Sequence, residues 1–183
     1  MTVINRLTIR PARLEDVSTI LSLITELAQF EQLAHLVVAD VPLLQEALFG
    51  AQPACECIVG FEADAQACSE PATHVDGAKN EKGEIVTFAL YFHNFSTFLG
   101  RKGLYLEDLY VRPQARRRGH AKAMLAHLAA LALQRGCGRF EWSVLDWNAN
   151  AIGFYEGLGA VVMPEWRICR ITGPSLSALA GQD

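Results

Sequence analysis

The sequence predicts a single α/β domain built on one mixed sheet, and three observations predict it. The chain has 183 residues, 51% of them apolar and 20% charged, enough to bury one sizeable core and short for two ordinary domains. Apolar spacing switches between the strand and helix periods in the order strand, helix, helix, strand, strand, strand, helix, strand, helix, strand. The last five elements alternate strand and helix, which requires some parallel pairing in the sheet.

Leu7-Thr8-Ile9-Arg10 reads as a short strand closed by Pro11. Val17, Ile20, Leu21, Ile24, Leu27 and Ala28 then mark one face of a helix. Asp40 before Val41-Pro42 is an N-cap with proline in the first turn, opening a second helix that runs to Phe49 and stops at Gly50. Cys55 to Glu62 is the next strand. Residues 63–84 are polar and small, an inserted flexible loop before the apolar strand Ile85 to Phe92. Leu104 to Val111 is a strand ended by Pro113. Met124, Leu125, Leu128, Leu131 and Ala132 define a helix over His120 to Arg135 with Gly136 as its stop. Phe140 to Leu145 is a strand, Asn148 to Leu158 a helix ending at Gly159, and Trp166 to Thr172 a closing strand.

Several function classes drop out. A net charge of -4 without a basic stripe argues against a nucleic-acid binder. No apolar run approaches the roughly 20 residues that span a bilayer. Met1 to Arg6 lacks the pattern of a secretory signal, and five scattered cysteines follow no disulfide framework, so a cytoplasmic location is expected. Cys55 and Cys57 share one strand face, where core filling outweighs metal ligation, and no metal site is expected. The nucleophile-elbow, Walker and zincin motifs are missing from the chain.

The chemistry concentrates between Leu104 and Lys122, where a strand passes through a basic loop into a helix. Such a junction points free backbone N–H groups at one spot, and the helix dipole adds about half a positive charge, which suits a diphosphate. Gly119 and Ala121 are small enough for close approach, and Arg116, Arg117, Arg118 and Lys122 are cationic. Alone, the arginines read as a solvated charge run, the commoner fate of such a run. The spacing Arg116-x-x-Gly119-x-Ala121 resembles the acyl-CoA motif Arg/Gln-x-x-Gly-x-Gly/Ala of the GCN5-related N-acetyltransferases (GNAT). Glu26 to Glu31, Phe95 to Gly100, Leu104 to Val111, Glu141 to Asn148 and Ile152 to Tyr155 resemble the diamine (spermidine/spermine and thialysine) acetyltransferase branch. Ala121 stands for the usual second glycine, and Thr87 stands where that branch tends to carry glycine.

The resemblance implies the GNAT fold: a twisted, mixed, mostly antiparallel sheet of six to seven strands flanked by about four helices. It implies a homodimer that uses acetyl-CoA, and no metal, to acetylate a primary amine of a small molecule, a polyamine or diamine. Leu109, Tyr110, Val111, Arg116, Arg117, Arg118, Gly119, His120, Ala121, Lys122, Asn148 and Tyr155 would bind the cofactor. A free alkyl ammonium has a pKa of about 10.4, so a base must take its proton before attack on a thioester. Glu107 is that base by resemblance, acting through water, with Asp108 helping to hold the cationic substrate; the plain alternative is a structural salt bridge or a solvated strand edge. Strand alternation sends these two side chains to opposite faces. Tyr155 matches the position of the acid that protonates the leaving thiolate. Asn148 either contacts pantetheine or caps its helix. Glu31 either binds a distal amine or sits at a solvated helix end. Trp166 either lines the acceptor pocket or packs. A lysine-like amino acid such as thialysine is the alternative acceptor, and a non-catalytic acyl-CoA-binding protein is the alternative from another class.

Overall fold

In the computed structural model, which describes residues 7–63 and 83–181, the strands form one sheet in the order β1-β2-β3-β4-β5. They are β1 (Leu7–Pro11), β2 (Glu56–Ala63), β3 (Gly83–Ser96), β4 (Arg101–Val111) and β5 (Phe140–Trp142). Every pairing is antiparallel except that of β4 with β5. The mixed, mostly antiparallel sheet is therefore as expected. Three longer helices accompany it, α1 (Val17–Phe30), α2 (Val41–Phe49) and α3 (His120–Gln134), and two short ones follow, α4 (Ala149–Glu156) and α5 (Pro174–Leu179). The chain divides into two compact units, Met1–Ser143 and Val144–Asp183. The whole sheet and α1 to α3 belong to the first.

The periodicities account for the layers. Val17, Ile20 and Leu23 of α1 and Leu44 and Leu48 of α2 pack on Cys57, Val59, Phe88, Leu90 and Tyr110 of the sheet. One residue out of phase, Ile58, Ala89, Leu104 and Leu106 are buried on the opposite face, and α3 packs on β3 and β4 through its buried Met124, Leu125 and Leu128. Asp40 caps α2 as its sequence predicts, its Oδ1 accepting the Leu43 N–H at 2.9 Å, a contact worth about 1 kcal/mol. Thr87 is fully buried; its hydroxyl donates to the Tyr110 carbonyl at 2.6 Å. Its methyl group fits because residue 60 is glycine: a Cβ there would lie 2.6 Å from Thr87 Cγ2.

Two expectations need correction. The closing strand Trp166 to Thr172 does not form, so the described sheet has five strands rather than six or seven. Trp166 is 71% exposed and Ile168 73%, and among the described residues the segment pairs with no strand of its own unit, so it has no ladder to complete. The strand expected over Phe140 to Leu145 stops at Trp142, because its pairing with β4 ends at Leu106, where β4 becomes irregular. Helix α5 was not expected, although Gly173-Pro174 places proline at its first turn. The loop expected at residues 63–84 lies almost wholly outside the described residues; Ala63 closes β2 and Gly83 opens β3.

Candidate active site

Strand β4 carries an extra residue at the centre of the site. Against β3, Leu90 faces Asp108 and Tyr91 faces Leu106, which leaves Glu107 without a partner as a β-bulge. A bulge opposes two residues to one and shifts the phase of everything beyond it. Leu106 is thus buried on the α3 face, while Tyr110 joins the core cluster with Leu90 and Phe88. The bulge interrupts the strict alternation on which the expectation of opposite faces for Glu107 and Asp108 rested: Asp108 lies opposite Leu90 of the core cluster, and Glu107 is the extra residue before it.

Asp108 is the most perturbed carboxyl of this region. Burial, then the charges of Glu107 and Glu31, push its pKa up to about 6. Glu31 caps the C-terminal end of α1, where burial raises its own pKa. Three carboxyls thus converge from α1 and β4, a field that draws a cation and that ionises fully only at a cost. β5 pairs only with Leu104–Leu106, so among the described residues no strand lies beside that edge of β4 from Glu107 to Val111. An extended chain can add there by backbone hydrogen bonds.

The loop after β4 turns sharply into α3. Arg117 adopts φ +64 and Gly119 φ +84, two left-handed positions within three residues. The first N–H of α3 to reach a carbonyl is that of Ala123, donating to Gly119 O at 3.0 Å. Among the described residues, no protein acceptor takes the N–H groups of Arg117, Arg118, Gly119, His120, Ala121 or Lys122. A Cβ built on Gly119 meets nothing within 4 Å, so the space before this helix end is open. Free amides, an open approach and a helix N-terminus suit a diphosphate, so these residues fit the diphosphate of acetyl-CoA.

The cationic side chains of the loop divide into two groups. Arg117 and Lys122 are exposed. Arg116 Nε donates to Val111 O at 2.9 Å, and its guanidinium lies over the rings of Phe30 and Tyr110 at 5.1 and 5.5 Å. Arg118 donates to both carboxylate oxygens of Glu62 at 2.9 and 2.7 Å, and His120 Nε2 lies 2.5 Å from Glu62 Oε1. Glu62 escaped the sequence reading, since a carboxylate 56 residues before Arg118 has no local signal. Arg112 was also missed; it pairs with Glu26 at 3.1 Å and with Glu84, fastening the end of β4 to α1 and β3.

Within the second unit, Asn148 caps α4, its side-chain oxygen accepting the Ala151 N–H at 3.2 Å. Tyr155 lies in the last turn of α4, half-buried, its ring 5.4 Å from that of Phe154. Trp166 stands exposed in an irregular segment, its N–H turned toward Met163 O at 3.4 Å.

Residues 42–160 match the model of the acetyltransferase (GNAT) family. The chain is 36% identical to an L-ornithine N5-acetyltransferase of Arabidopsis thaliana over 93% of its own length and 86% of the relative's. It is also 36% identical to the thialysine N-epsilon-acetyltransferase of Mus musculus, over 95% and 97% of the two chains. Among solved structures, an integron cassette protein from V. cholerae superimposes with a TM-score of 0.71 at 22% identity, over 95% of this chain and 97% of that one, which shows a shared fold. The family model takes in β4, its bulge and the loop into α3, and the chain belongs to the GNAT family, in the diamine and thialysine branch, and is an N-acetyltransferase.

Proposed function

We propose that the protein transfers the acetyl group of acetyl-CoA to a primary amine of a small molecule that carries a second positive charge, a diamine or polyamine. The observation that supports this most is the gathering of Glu31, Glu107 and Asp108: burial first, and then the charges of the other two, push the Asp108 pKa up to about 6. A field of that sign attracts a dication and disfavours a neutral or anionic acceptor. A second reading, a basic amino acid such as thialysine or ornithine, is favoured by the activities named for the relatives.

Acetyl-CoA supplies an activated acyl carbon. The open N–H groups from Arg117 to Lys122, with the Arg117 and Lys122 side chains, hold its diphosphate, and Leu109, Tyr110 and Val111 receive its pantetheine arm along the unpaired edge of β4. Glu107 accepts the ammonium proton through water, Asp108 and Glu31 hold the second cation, and amides at the open edge face the developing oxyanion. Tyr155, placed by resemblance, returns a proton to the departing thiolate; Asn148 keeps its capping role beside any contact with pantetheine, and Trp166 belongs to the acceptor side. We further propose that both units act as one acetyltransferase domain, that the protein works as a cytoplasmic homodimer, and that it needs no metal.

Thiol release from acetyl-CoA, followed with polyamines, short diamines, thialysine, ornithine and lysine, tests the acceptor. Diamines are expected to give the highest kcat/KM. A preference for the amino acids selects the second reading, and no thiol release with any amine removes both. Tyr155→Phe is expected to lower kcat about tenfold at unchanged CoA affinity. The effect is modest because a thiolate whose acid has a pKa of about 8.5 leaves readily without help. Equal rates would remove Tyr155 as the acid, and a monomer in analytical ultracentrifugation would remove the dimer.

A further inference from the structure

We infer that Glu62 is a positioning residue for the diphosphate loop: from the end of β2 it clamps Arg118 and His120, and so holds the loop with its amides facing outward. This rests on the proposed cofactor site and assigns new roles to residues inside it.

Side chains along the loop alternate between pinned and free. Arg116 is held by Val111 O and two aromatic rings, and Arg118 and His120 by Glu62. Between them lie Arg117 at φ +64 and Gly119 at φ +84. A left-handed arginine is strained and persists only where its neighbours are fixed. The pins on either side supply that fixation. The His120 arm of the clamp is shielded, with the His120 side chain 2% exposed and that of Glu62 17%, while the Arg118 arm lies at the surface, 44% exposed; loss of the carboxylate therefore strands a buried imidazole nitrogen. Arg118, neutralised by Glu62, is a brace in this arrangement, which leaves Arg117 and Lys122 as the cations offered to phosphate.

The placement of Glu62 gives the inference a sign that plain electrostatics does not share. A carboxylate beside an anion site repels the anion, so by charge alone its removal strengthens binding. The clamp predicts the reverse.

Calorimetric titration of CoA into the full-length protein tests this with Glu62→Ala, Arg118→Ala and the double variant, each checked for native circular dichroism. Glu62→Ala is expected to raise the CoA Kd five- to tenfold and the acetyl-CoA KM in parallel, with kcat at saturation changed less than twofold. Adding Arg118→Ala to it is expected to change Kd by less than twofold, because the brace is already lost. An unchanged or lower Kd in Glu62→Ala overturns the inference, as does a full additional loss from Arg118→Ala, which makes Arg118 a direct phosphate ligand. If Glu62→Ala fails to fold, Glu62→Gln carries the same test: a Kd raised about threefold supports the clamp and a Kd at or below the parent's overturns it. A parent protein that does not bind CoA refutes the cofactor site itself, a separate result.

Discussion

Conversion of both carboxyls of the bulge to amides, Glu107→Gln with Asp108→Asn, is expected to lower kcat/KM about 10³-fold while CoA affinity stays at the parent value. The magnitude is that of removing general base catalysis. It is assigned to the pair because the two carboxyls are adjacent at the bulge, where burial and then the Glu107 charge raise the pKa of Asp108. Either one alone still leaves a carboxylate for the ammonium proton, so each single amide is expected to lose less, about ten- to a hundredfold. The pH profile separates their parts. Asp108 is ionised only above about 6, so the parent's kcat/KM is expected to fall as pH drops through that value. Glu107→Gln removes a neighbouring negative charge, so the acid limb moves to lower pH. A double amide within tenfold of the parent would show that neither carboxyl takes the proton.

Asp108→Asn is expected to stabilise the fold while it weakens activity. In the folded chain Asp108 keeps its proton up to about pH 6 against an ordinary value of 3.8. The folded state therefore binds more protons between these values, and stability falls as pH rises through that window and stays reduced above it. A shift of this size corresponds to about 2–3 kcal/mol, several degrees in Tm for a domain of this length. The gain from Asn is expected to be greatest above pH 7 and to vanish toward pH 4, where the folded parent is already protonated. A Tm gain independent of pH would assign the effect to packing.

Much of the architecture was legible because periodicity and caps are local. The α1 stripe from Val17 to Ala28, the Asp40 cap and the Gly136 stop are each set by a few neighbouring residues, and the structure has all of them. The basic loop and the Glu107-Asp108 pair were visible as chemistry for the same reason. What the sequence withheld depends on partners far along the chain. The bulge is a register fact between β3 and β4, and no composition around Glu107 announces it. The hold of Glu62 on Arg118 and His120 joins strands and loop across more than 50 residues. The closing strand at Trp166 to Thr172 failed for a related reason: Trp166 and Ile168 flank Arg167 in strand fashion, but Cys169 and Arg170 break the alternation, and a strand is made by its neighbour as much as by its own sequence.

The supernumerary residue of β4 also fixes how this strand can change length. Shortening it by one at position 107 would restore regular pleating from Leu106 onward. Leu106 would stay opposite Tyr91 and Asp108 opposite Leu90, so Tyr110 would keep its place opposite Phe88 in the layer under α1 and α2, with the arginine still resting on its ring. Position 107 is thus where β4 can lose a residue with its other side chains still on their faces, whereas a deletion elsewhere in the strand would turn a stretch of it over.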